Sequence, residues 1–252
     1  TYCFEDNWPY LGDYDMNDVV IVSRIDRMTS KDGSKVSALT INWELRAAGT
    51  TYDIAGAVQM DKVQTSDVAN VESSHKGFGS GMFASQGLDA DSPYAVIPFF
   101  NKTEELLSAS NTWKGHPAAA TRKHITTVTF SQPVDIASVL DSEMNFFITP
   151  KQRTSEIHMP GYAPTASGII GKGSFLPSDP YKFFVTEGDQ LKNNYMMWAL
   201  VIPGEFRYPA ETNDIRGVYE YFMTWASSNG TEHTEWYQES ACLLYTSPSP
   251  RD

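Results

Sequence analysis

The chain is poor in cysteine, in basic residues and in long apolar runs, and each shortage closes off a class of protein. Two cysteines in 252 residues, Cys3 and Cys242, offer no disulfide framework, and cysteine usage assigns no redox compartment. No apolar stretch approaches the roughly 18 residues that a membrane-spanning helix requires. Lys and Arg number 19 against 31 Asp and Glu, for a net charge of −12. Such a surface repels phosphate backbones, which excludes nucleic acid as a partner. The glycine-rich stretch Gly77 to Gly87 carries no G-K-[ST], so it reads as a surface loop and not as a phosphate cradle. There is no G-x-S-x-G elbow for an α/β-hydrolase. The five histidines, His75, His116, His124, His158 and His233, are scattered and form no pair at zinc-ligand spacing.

The two ends call for separate treatment. Position 1 is Thr and no charged-then-apolar leader follows, so a start inside a longer protein is expected. Residues Cys242 to Asp252, CLLYTSPSPRD, read as an in-frame translation of a sequencing adaptor rather than as native protein. Setting them aside leaves residues 1–241 as one expected domain, with Cys3 alone. About 240 residues with 41 % hydrophobic content suffice for a large core.

What the chain does have is acid in one place. Residues 4–21 read FEDNWPYLGDYDMNDVVI, with Glu5, Asp6, Asp13, Asp15, Asn17 and Asp18 gathered around Gly12 before a β-branched run. Asp13, Asp15 and Asn17 sit two residues apart, so on an extended or looped backbone their oxygens converge on one point. Convergent carboxylates repel one another unless a cation joins them, and a cation that takes six to eight oxygens, calcium above all, suits this set. The match to an EF-hand loop fails, because Asp18 occupies the glycine position and Arg24 the position of the bidentate Glu. A calcium site would therefore draw on Asp13, Asp15, Asn17, Asp18, Glu5 and Asp6, with backbone carbonyls of the Trp8 to Gly12 turn. The alternative is a set of Asx-turns, in which the same side chains bond their own backbone at a strand entrance.

Strand signals dominate the rest. Val36 to Leu45 alternates Leu39, Ile41, Trp43 and Leu45 with Thr40, Asn42 and Glu44, the period of a half-buried strand. Val19 to Ile25 precedes it across a hairpin turn, Thr29 to Ser34, centred on Asp32-Gly33. Asp53 to Met60, Tyr94 to Phe100, His124 to Phe130, Met144 to Thr149, Tyr181 to Thr186 and Met196 to Ile202 are further candidates between Gly, Pro, Ser and Asn clusters. Asp135 to Ser142 is expected to form one or two helical turns. One helix is expected over Asp214 to Ser227, where Ile215, Val218, Tyr219, Phe222, Trp225 and Ala226 recur at three and four residues and Gly230 offers a stop. The expected fold class is all-β, a mainly antiparallel β-sandwich with this helix packed on the sheet.

Four segments also occur in the same order as in LruC-type domains: FEDNWPYLGDYDMNDVV, SEIHMPGYAPT from Ser155, WALVIPGEFRYPAE from Trp198, and IRGVYEYFMTWASSNG followed by Glu235-Trp236-Tyr237. The chain resembles this family over nearly its whole length. It departs from it at Met197-Trp198, where such domains usually carry Pro-Trp. These are domains of unknown function at the C-terminal end of exported, often lipid-anchored proteins of Bacteroidota and some spirochaetes. The first segment is also similar to acidic signatures of secreted β-domains thought to bind calcium. The resemblance implies a cell-envelope, outer-membrane-surface or extracellular location, with a signal or lipid anchor upstream; it implies no activity.

Residues that would carry catalysis are few. Glu156 and His158 face one way on an extended segment, though a hydrogen-bonded histidine at a strand end is the commoner use. Glu104 with Glu105, or Glu205 with Glu211, would serve as a glycosidase pair only if held across a cleft. The reading reached is a non-catalytic structural or adhesive envelope module stabilised by calcium. The alternative is a glycan-binding module or glycoside-directed enzyme presenting Trp8, Trp113 or Trp236, so the expected partners are a surface glycan or an envelope protein.

Overall fold

The computed structural model describes residues 1–8, 12–107, 110–113, 120–168, 185–187, 190–192, 197–228 and 230–238. Strands β1 (Tyr2–Phe4), β2 (Val19–Thr29), β3 (Lys35–Ala47), β4 (Ile54–Gln64), β5 (Val68–Ser73) and β6 (Tyr94–Phe100) come first. They are followed by β7 (Lys123–Asp135), β8 (Met144–Pro150), β9 (Ile157–His158), β10 (Val185–Glu187), β11 (Gln190–Lys192) and β12 (Ala199–Val201), then by helices α1 (Ile215–Val218) and α2 (Phe222–Ser227). One sheet runs β12-β1-β2-β3-β7-β5, a second β6-β4-β8-β9, and β10 pairs with β11; every pairing is antiparallel. The fold is an all-β sandwich with short helices at its C-terminal end.

The alternating strand predicted around Trp43 is the spine of the larger sheet. Leu39, Ile41, Trp43 and Leu45 point into the sandwich and meet Val58, Met60, Ile97, Phe99, Phe146 and Ile148 from the facing sheet. Tyr2 stacks on Phe146 at 4.0 Å, and Trp43 lies 5.1 Å from Phe99, so aromatic contacts join the sheets. Gly56 on β4 is where a neighbour needs the space: a Cβ there would stand 2.6 Å from the Phe100 ring.

Two further cores explain segments whose apolar content does not alternate. Phe4, Val19 and Ile21 face the sandwich, while Cys3 and Val20 face the other way, into a second core with Leu200, Tyr208, Ile215, Phe222 and Trp236. The run Val19-Val20-Ile21 is continuously apolar because both faces of the sheet are covered there. Behind the second sheet, Ala55, Ala57, Val96 and Phe147 take Phe83 from the glycine-rich loop. That loop is no mere surface excursion, since the Asn101 amide donates to the carbonyls of Gly79 and Phe83 at 2.8 and 2.9 Å.

Several expectations need correction. The single helix over 214–227 is broken into α1 and α2, because Tyr219 takes an extended backbone (φ −116°, ψ 105°) and its hydroxyl donates to the Arg207 carbonyl at 2.5 Å. Tertiary packing of Tyr219 against Phe206 and Trp236 overrides helical periodicity there. Gly230 does provide the stop, at φ +78°. Strands Val19–Thr29 and Lys123–Asp135 run longer than their patterns suggested, and Met196 to Ile202 contracts to Ala199–Val201. Short strands β1, β5, β9 and β11 were not predicted. Of the Tyr181 to Thr186 candidate, residues 181–184 lie outside the described residues, as do Cys242 to Asp252. Cys3, left alone by the cysteine count, is fully buried as a free thiol, and burial pushes its pKa up to about 12.

Candidate metal centre

The acidic segment leaves β1 at Glu5 and re-enters the sheet at Val19. Its backbone is not extended: Gly12, Tyr14 and Met16 take φ of +64°, +54° and +56°. The left-handed turn at every second residue sends Tyr14 and Met16 into the second core, and leaves Asp13, Asp15 and Asn17 for the opposite side. The Tyr14 hydroxyl donates to the Met197 carbonyl at 2.9 Å, which fixes the inner row.

One carboxylate oxygen each from Asp13, Asp15 and Glu211 lies within 4.8 Å of the others. Asp15 is buried and Asp13 is not. Glu211 belongs to the far end of the chain and is carried in by the segment between β12 and α1. That segment is docked on the loop by three bonds: Thr212 N–H to Asp15 Oδ2 (2.8 Å), Asn17 Nδ2 to the Pro209 carbonyl (3.0 Å) and Ile215 N–H to the Tyr14 carbonyl (2.8 Å). Glu211 itself accepts from Thr112 Oγ1 at 2.5 Å.

Two fully buried oxygens in this neighbourhood, Glu5 Oε2 and Asn17 Oδ1, have no hydrogen-bond partner among the described residues. The Pro209 contact turns the Asn17 amide so that Oδ1 faces Gly49 and Glu211. A Cβ on Gly49 would sit 2.1 Å from Asn17 Oδ1 and 2.9 Å from Glu211 Oε2, so the two oxygens share one small space. Glu5 Oε1 accepts from Met16 N–H at 2.5 Å, which holds the other oxygen toward Gly12. Gly49→Ala is expected to cost about 1–3 kcal/mol, because the anchored Asn17 has nowhere to retreat. Urea melts check this, and a loss below about 0.5 kcal/mol would mean that Asn17 moves freely.

Asp6 and Asp18 form an adjacent pair. Asp18 Oδ2 accepts the Asp6 N–H at 2.8 Å, and Asp6 Oδ2 accepts from Thr50 Oγ1 at 2.5 Å. Asp15 Oδ1 also accepts the Asn17 N–H at 3.2 Å, so an Asx-turn coexists with the convergence of acids. Each acid thus keeps spare oxygen capacity after its backbone bonds are made.

No ion pair among the described residues involves any of these six carboxylates. Burial, then the Asp13 and Glu211 charges, push Asp15 up to about 8. Burial and the Asp6 charge push Asp18 up to about 9, and burial with the charges of Asp18 and Asp15 holds Glu5 well above the carboxylate range. Asp6 and Glu211 are raised by burial too, with Lys151 partly relieving Asp6. Such an assembly is stable only with protons or with a cation.

Of the six predicted residues, Asp13 and Asp15 converge with Glu211, Asn17 Oδ1 shares the space beside Glu211, Glu5 turns its free oxygen toward Gly12, and Asp6 and Asp18 form the adjacent pair. Sequence reasoning missed Glu211, which it had considered only as a partner for Glu205. Glu205 is exposed and Glu211 serves the acidic cluster. Pro9 to Leu11 of the expected carbonyl turn lie outside the described residues. Elsewhere, Glu156 and His158 do meet, but inside a closed polar network. His158 Nε2 lies 3.0 Å from Glu156 and Nδ1 2.7 Å from Asn145, and Glu156 also takes the Thr165 N–H at 2.7 Å. Glu105 bonds Gly79 N–H and His75. Trp236 is buried and Trp8 packs on the main core, while Trp113 is 46 % exposed, so the three do not form one aromatic platform.

A crystal structure of a candidate lipoprotein from Bacteroides ovatus shares the fold with a TM-score of 0.74, at 19 % identity, over 97 % of this chain and 74 % of that one. No curated protein matches. Residues 34–237 match the family described as a domain of unknown function (DUF4842), and the chain belongs to that family.

Proposed function

We propose that the protein is a non-catalytic structural or adhesive module of the cell envelope whose first loop is cross-linked by calcium. The observation that carries the metal is the pair of buried, unpartnered oxygens, Glu5 Oε2 and Asn17 Oδ1, beside the Asp13, Asp15 and Glu211 trio. A hard cation satisfies unpartnered carboxylate and amide oxygens, and oxygen-only donors at flexible spacing favour calcium over smaller or softer ions. When bound, the ion fixes the loop that leads into β2 and neutralises part of the acid charge. The fold shared with the Bacteroides ovatus protein and the resemblance to LruC-type domains support an envelope location.

The test is a thermal melt with calcium and with chelator, on the wild type and on Asp13→Ala plus Asp15→Ala. Calcium at about a hundred times its Kd adds roughly 2.7 kcal/mol, or about 5–10 °C for a chain of this size. The double variant should show no gain. Equal melting of the wild type in both conditions would overturn the metal reading.

A further inference from the structure

We infer that the acidic centre is a clasp between the two ends of the domain, with Glu211 the ligand that carries the grip from the first loop to the C-terminal unit. The inference rests on the metal reading above and assigns the ion a regulatory consequence. Three observations point to it.

The C-terminal unit, from Phe206 to Trp236, sits on the outer face of the larger sheet and shares a core with it that is separate from the sandwich interior. Tyr208, Ile215, Val218, Tyr219, Phe222 and Trp236 pack together and touch the rest of the molecule mainly through Cys3, Tyr14, Met16, Val20 and Leu200. A unit seated this way can loosen without opening the sandwich, because the core between the two sheets is a separate one. Next, the oxygen donors are divided across the junction: the Asp13, Asp15 and Glu5 carboxyls and the Asn17 amide come from the loop, and Glu211 from the unit. Once both are ionised, repulsion between Asp15 and Glu211 acts to part the two pieces unless a cation lies between them; with one, the same charges hold the pieces together. Finally, the backbone bonds at Pro209, Thr212 and Ile215 fall immediately around Glu211, so movement of that carboxylate is transmitted to the docking bonds themselves.

Calcium is therefore predicted to govern how tightly the C-terminal unit is seated, while leaving the sandwich intact. Hydrogen exchange of the full chain, in calcium and in chelator, tests it without any substitution. Calcium should slow exchange of amides in residues 206–227 by roughly tenfold or more, with little change in β3 and β8. Glu211→Gln, confirmed to melt in chelator as the wild type does, should weaken calcium binding by roughly tenfold or more and lose the selective protection. A calcium-dependent rise in melting temperature with unchanged exchange at 206–227 overturns the clasp and leaves the metal site standing. No calcium effect on melting or exchange overturns both.

Discussion

In chelator, the protein is expected to lose stability as pH rises from about 6.5 to about 8.5, and calcium is expected to remove most of that loss. The cause is the set of carboxyls that the fold holds protonated. An unfolded Asp or Glu gives up its proton near pH 4, whereas Asp15 keeps its proton to about 8 and Asp18 to about 9 in the folded chain. Between those limits the folded state binds more protons than the unfolded state. Stability from these groups is thus complete below pH 4 and is lost as pH climbs through the folded pKa values. Each group contributes up to about 1.4 kcal/mol per pH unit within the window. His124, whose pKa burial lowers from 6.5, acts in the opposite direction below that value, so the slope is best read above it. Calcium bound as proposed is expected to replace the protons with a permanent charge and so to flatten the profile. Chemical denaturation at half-unit pH steps, with Asp15→Asn as a control that reduces the slope, measures the effect. A chelated protein whose stability is flat or rising from pH 6.5 to 8.5 would show that the acids are not held as the structure places them.

The second large effect expected is on the sandwich itself: Trp43→Ala should destabilise the protein by about 3–5 kcal/mol. Trp43 is 1 % exposed and packs 5.1 Å from Phe99 and 4.7 Å from His124, while its indole N–H donates to Thr126 Oγ1 at 3.0 Å. Truncation removes the contact between the facing sheets and leaves the Thr126 hydroxyl with less to bond; it keeps a 3.3 Å contact to Ser73. At about 2–4 °C per kcal/mol, the melting temperature should fall by roughly 6–20 °C. Trp43 pairs with Ser23, and the acidic loop enters β2 at Val19, roughly 13 Å along the strand, so calcium should add the same increment to this variant as to the wild type. A loss under about 1 kcal/mol would mean that the sheets are joined chiefly elsewhere.

Local pattern carried far in this protein where one physical signal dominates. The alternation around Trp43 placed β3 because a strand with one wet face must repeat every two residues, and Tyr94–Phe100 emerged with the predicted bounds. The Asp32-Gly33 pair closed the β2–β3 hairpin, with Gly33 at φ +74°. Where two signals competed, the local one lost. Helical periodicity through Tyr219 yielded to a buried hydrogen bond and to aromatic packing, and the short strands β1 and β9 exist only because a neighbour pairs with them.

The sequence by itself determined the composition of the acidic loop, the alternating strands and the sheet-rich class, because each is a property of neighbouring residues. Only the tertiary structure decided what the acids face. Glu211 stands almost two hundred residues from Asn17 along the chain, and its approach depends on β12 pairing with β1 and on a second core that folds the C-terminal segment back over the first loop. The burial that raises the carboxyl pKa values, and the absence of partners at Glu5 Oε2 and Asn17 Oδ1 among the described residues, likewise arise from that closure. No local pattern encodes them, because convergence of oxygens from opposite ends of a chain is a property of the fold.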